Sequence, residues 1–83
     1  MKNIQQIIEQ LDTSSQVSFK ELLKICRQFF GEPRIKGSHH IFKMPWQGNP
    51  RINLQMDGNE AKMYQVKQVI EALKKRKENE NAT

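Results

Sequence analysis

Apolar residues recur along this chain with two different periods, and the switch between them separates helices from strands. Ile4, Ile7, Ile8 and Leu11 are spaced i, i+3, i+4, i+7, the stripe of a short first helix. The run Asp12-Thr13-Ser14-Ser15 is expected to end it, because such side chains bond locally to backbone. A second helix is predicted to start at Ser18. Ser18-Phe19-Lys20-Glu21 matches the capping box, with Val17 and Leu22 placed as its hydrophobic staple. Its buried stripe is Phe19, Leu22, Leu23, Cys26 and Phe29 or Phe30. Gly31 suits a left-handed helix end, and Pro33 stops any continuation.

Beyond Pro33 the period falls to two. Residues 33–36 read as a short extended segment, Gly37-Ser38 as a turn, and residues 39–44 as a strand ended by Pro45. Trp46-Gln47-Gly48-Asn49-Pro50 is a loop rich in turn formers. Residues 51–56 alternate, with Ile52, Leu54 and Met56 on one face and Arg51, Asn53 and Gln55 on the other. Asp57-Gly58-Asn59 closes the strand and offers Asn59 as a helix N-cap. The last helix is predicted over residues 60–77, with Met63, Val66, Ile70 and Leu73 inward and Val69 widening the stripe. Lys74-Lys75-Arg76-Lys77 would sit at its negative end, and the same run is a candidate for non-specific affinity. Residues 78–83 have no apolar anchor except Ala82 and are expected to be a disordered tail. The order is α-α-β-β-β-α. This is an α+β fold: a three-stranded antiparallel sheet with helices packed on one face.

Length bounds what such a fold can do. Eighty-three residues, 36% hydrophobic, make one domain over residues 1–77 with a thin core. A multi-domain enzyme, a nucleotide-binding α/β fold and a barrel are too large. No apolar run approaches the roughly 20 residues that cross a bilayer. The polar start at Met1-Lys2-Asn3 does not read as a secretory leader. Cys26, the single cysteine, has no internal disulfide partner, which fits a reducing cytoplasm.

Charge narrows the partners. Fourteen Lys and Arg against nine Asp and Glu give +5. Glu78 and Glu80 lie in the expected tail, so residues 1–77 hold seven acids against fourteen cations, or +7. Such a surface attracts nucleic acid by counterion release. Solubility alone is the competing explanation. Five cations and one acid, Glu32, fall between Arg27 and Arg51, a local +4 in the strand region.

The candidate chemistry is sparse. The two histidines are adjacent, so in an extended strand they face opposite ways. Phe42 and Met44 form the better core pair, which places His40 on the core side and His39 on the open side; Ile41 argues for the reverse. Neighbouring strand histidines converge poorly on one ion, and a lone cysteine adds no ligand set, so no zinc site is expected. Cys26 lies on the apolar stripe of its helix and is expected to be an inert structural thiol. No acid stands within a strand, and the four glycines are dispersed, which leaves neither a carboxylate pair nor a phosphate loop. What remains is His39 beside Arg34, Lys36, Lys43 and Arg51. A neutral imidazole there can serve as general base or acid on an RNA 2′-hydroxyl, with the cations holding the phosphate. The competing reading is a surface histidine of a basic RNA-binding face.

The segment Gly37-Ser38-His39-His40-Ile41-Phe42-Lys43-Met44-Pro45 resembles the signature strand of the HicA toxin family. These are small ribonucleases of prokaryotic toxin–antitoxin pairs. The similarity extends over about residues 30–73. It takes in Gly31-Glu32-Pro33-Arg34, Asn49-Pro50-Arg51-Ile52-Asn53 and Tyr64-Gln65-Val66-Lys67-Gln68-Val69. It implies a fold like the double-stranded-RNA-binding domain, with the Ser18 helix as the family's first and residues 1–16 as an additional helix. That helix could pack on the core, mediate dimerisation or cover the active face. It also implies mRNA cleavage and a HicB-type antitoxin as protein partner. No metal or cofactor is expected, and the chain is expected to act as a monomer or small oligomer. The functional histidine maps to His39 and the turn glycine to Gly37. The expected RNA contacts are Lys36, Gly37, Ser38 and Lys43, then Arg34 and Arg51, with Trp46 as a base-stacking candidate. A non-catalytic RNA-binding module and an inactive toxin homologue are the alternatives.

Overall fold

Phe42, Ile52 and Leu54 are the strand residues that leave water, and they define the covered face of the sheet. The computed structural model describes residues 3–44, 46, 50–56 and 58–81. Pro45 as a strand end, residues 47–49 of the loop, Asp57 of the turn and the last two tail residues lie outside the described residues. The elements run α1 (Ile4–Thr13), α2 (Phe19–Phe30), β1 (Arg34–Lys36), β2 (His39–Lys43), β3 (Arg51–Gln55) and α3 (Met63–Asn81). The sheet is antiparallel with order β1-β2-β3. All three helices contribute to the single core on one face of it.

Helix starts are set locally. Ser18 Oγ accepts the Glu21 amide at 3.1 Å, one half of the expected box, and Val17 and Leu22 are both buried. A complete capping box stands at α1 instead, where the side chains of Asn3 and Gln6 each accept the other's backbone amide at 2.9 Å. The expected break after Leu11 comes later: Asp12 and Thr13 remain helical, and the Thr13 hydroxyl donates back to the Glu9 carbonyl. Gly31 ends α2 at φ 85°, with its amide donating to the Arg27 carbonyl.

Tertiary pairing overrides the sequence reading at α3. Asn59 was expected to cap a helix from residue 60, yet its carbonyl accepts the Phe19 amide at 2.9 Å, and the Ala61 amide donates to the Val17 carbonyl at 2.8 Å. Glu60 is thereby paired in an antiparallel bridge with Ser18 at the start of α2, and the helix begins at Met63. That shift leaves Met63 exposed and buries Ala61 and Gln65. At the other end α3 continues through Asn81, so residues 78–81 are helical rather than a disordered tail. Propagation adds one backbone bond per residue, and Lys and Glu are good helix formers.

The run 74–77 therefore does not sit at the helix end. Arg76 Nε donates to the Phe29 carbonyl at 2.9 Å and its guanidinium lies 5.3 Å from the Phe29 ring, tying α3 to the last turn of α2. Lys77 donates to Gln5 of α1. Of the three roles open to the additional helix, α1 takes the first: it packs on α3, with Ile7, Ile8 and Leu11 in the common core. Cys26 is wholly buried there, and burial pushes its thiol up to about 12, so the reactive thiolate is absent at neutral pH.

Gly37 turns β1 into β2 at φ 62°, a left-handed conformation. A Cβ added there would meet nothing within 4 Å. Gly37→Ala should therefore cost backbone strain alone, about 1–2 kcal/mol. Urea unfolding would show it as a lower midpoint with an unchanged slope.

Candidate nucleic-acid interface and active site

Pairing in register converts three short strands into an ordered grid on the open face. Lys36, His39 and Gln55 lie opposite one another in the first row. Arg34, Ile41 and Asn53 form the second, and Lys43 with Arg51 the third. Rows two residues apart are separated by about 7 Å, and directly opposed side chains by about 5 Å. His39 and Ile41 are half-buried by their neighbours, and the other six residues are exposed. The core face of the same strands carries His40, Phe42, Ile52 and Leu54.

The face is cationic because the strands contain no acid. Arg34, Lys36, Lys43 and Arg51, with Ile41 between them and Glu32 at the rim, line one concavity of about 390 Å³. Glu32 also meets Arg27 at 3.3 Å, so the local +4 of the sequence resolves into one surface ion pair and four cations on the sheet. His39 stands at the end of this array. Its Nδ1 faces the Asn53 Oδ1 at 3.1 Å.

His40 does different work. Its ring meets Phe19 edge-on at 5.5 Å, and its buried Nδ1 has no protein partner. The strand alternation thus splits the two histidines as expected, His39 to the open face and His40 to the core. Gly37 and Ser38 form the exposed turn beside His39, and the Ser38 carbonyl accepts the Met56 amide at 3.4 Å. Trp46 is not brought to His39. It is half-buried, meets Phe30 edge-on at 6.3 Å, and lines a separate groove of about 540 Å³ with Met44, Ile52 and Tyr64. Its ring packs against the hydrophobic core. Met56, expected inward, is exposed because it follows the last paired residue of β3.

Asn53 and Gln55 are site residues the sequence reading left without a role. Alternation had placed them on one face with Arg51; what was missing was the register that joins that face to His39. Among the described residues, no three of His, Cys, Asp and Glu come close enough to share a metal ion, and no helix is long and apolar enough to cross a membrane. Comparison with known proteins gives no matching family model, no matching curated protein and no matching solved structure.

Proposed function

We propose that this chain is an RNA-cleaving toxin of the HicA kind, with mRNA lying across the open sheet face and His39 as its general acid/base. The observation that carries the reading is a histidine at the end row of a sheet face whose strands hold four cations and no acid. An extended RNA strand along β2 would set phosphates against Lys36, Arg34, Lys43 and Arg51, and a sugar or base over Ile41. Direct contact of that kind neutralises the backbone and offsets charge gathering on the phosphate oxygens in the transition state. No deep cleft is required, because the substrate is a polyanion that binds to an open surface. The segment from α2 to α3 runs helix, three strands, helix, an order that supports the expectation of a fold like the double-stranded-RNA-binding domain with α1 added. Gly37 and Ser38 shape the backbone beside the scissile phosphate. The same cationic face suits an acidic surface of a HicB-type antitoxin in the cytoplasm.

Four phosphate contacts on a single strand give a log–log salt slope of about −3. Fluorescence anisotropy on labelled RNA should show that slope, and Lys43→Ala should reduce its size by about 0.7. Binding that ignores salt would contradict this surface. Induction of the protein in bacteria is expected to stop growth with loss of mRNA; normal growth with intact mRNA would contradict the toxin reading.

One observation favours a non-catalytic RNA-binding module or an inactive homologue. His39 is the only histidine on the face, since His40 points to the core, so no second imidazole stands ready to protonate a leaving group. Tight RNA binding without any cleavage, with or without chelator, would decide for that alternative.

A further inference from the structure

We propose that Asn53 is a positioning residue that fixes the tautomer of His39 and so makes Nε2 the proton acceptor. The inference rests on the cleavage reading and deepens it, because it assigns the acting nitrogen. The amide oxygen of Asn53, not its nitrogen, faces Nδ1 at 3.1 Å. An oxygen can only accept, so the bond forms when Nδ1 carries the proton. A neutral imidazole has one N–H, and with that proton on Nδ1, Nε2 keeps its lone pair. A free imidazole side chain in water prefers the other tautomer, with the proton on Nε2. The Asn53 carbonyl thus works against the intrinsic preference and in favour of a base.

The register explains why this pair forms. Asn53 is opposite Ile41, one row from His39, and both side chains stand on the open face. The diagonal distance suits two medium-length polar side chains. After proton uptake the bond persists, since imidazolium still donates from Nδ1. The step balances without a co-reactant other than water. The 2′-hydroxyl proton passes to Nε2 as the 2′-oxygen bonds to phosphorus. The P–O5′ bond then breaks, and the 5′-oxygen takes a proton from water or from the imidazolium. A 2′,3′-cyclic phosphate and a 5′-hydroxyl result.

The test joins a spectrum to a rate. Nitrogen-15 NMR of histidine-labelled protein distinguishes the tautomers, and a His39→Gln sample identifies the His39 signals. The wild type should show the Nδ1–H form as the major neutral species, and Asn53→Ala should revert to Nε2–H. Cleavage by Asn53→Ala should fall about 10- to 100-fold, less than the roughly 10²- to 10⁴-fold that loss of the acid/base itself would cost. Asn53→Asp keeps the acceptor and adds a charge that favours imidazolium. Its acid limb should move to higher pH, with most of the rate recovered above that limb. A wild type that cleaves RNA while showing Nε2–H overturns the positioning role alone. So does an Asn53→Ala protein with unchanged rate and pH profile. A wild type that never cleaves RNA overturns the cleavage reading and the positioning role together.

Discussion

Replacing His39 with alanine is expected to lower RNA cleavage by about 10²- to 10⁴-fold, the range that a positioned acid/base contributes. The loss should be selective. His39 is half-buried and its ring meets Asn53 in an exposed contact, so removing it should cost less than about 1 kcal/mol of stability. RNA affinity should hold as well, because Arg34, Lys36, Lys43 and Arg51 remain in place. In bacteria, growth arrest and mRNA loss should vanish while the variant accumulates as folded protein. Equal toxicity of the two proteins would contradict the assignment of His39.

Phe42→Ala, three residues along the same strand, should do the reverse. Phe42 has no solvent exposure and lies opposite Ile52 on the covered face. Truncating a buried phenylalanine removes its transfer energy and leaves a cavity, together about 3–5 kcal/mol. A domain of this length holds about 4–12 kcal/mol in total. One substitution therefore removes about a quarter or more of the stability. The midpoint of a thermal melt followed by circular dichroism should fall by about 12 °C or more. A fall of under 3 °C would mean that the helices do not cover this face as described. The two variants separate the roles of one strand: the proposed chemistry on its open side and the fold on its inner side.

The sequence made the core legible wherever burial follows simple periodicity. Leu11, Leu22, Cys26, Leu54, Val66 and Leu73 are buried where the stripes placed them. Alternation alone also sent His39 and His40 to opposite faces. It failed where a distant backbone intervenes. Nothing near Asn59 in the chain says that its carbonyl will accept the Phe19 amide, forty residues away in sequence, so the start of α3 was misplaced and Met63 was wrongly sent inward. The basic run 74–77 looked like a solvated helix end, because its partners Phe29 and Gln5 belong to other helices. The site was half legible for a related reason. Residue type and charge pick out His39 and its cations, whereas the Asn53 contact depends on the register between β2 and β3, which the hairpin and loop geometry set.

The most direct measurement is cleavage of a labelled single-stranded RNA by purified protein in the presence of chelator, wild type beside His39→Ala. The wild type should yield fragments ending in a 2′,3′-cyclic phosphate, and the variant should bind the RNA equally well yet leave it intact. Intact RNA with both proteins, or the same cleavage by both, would contradict His39 as the acid/base of an RNA-cleaving face.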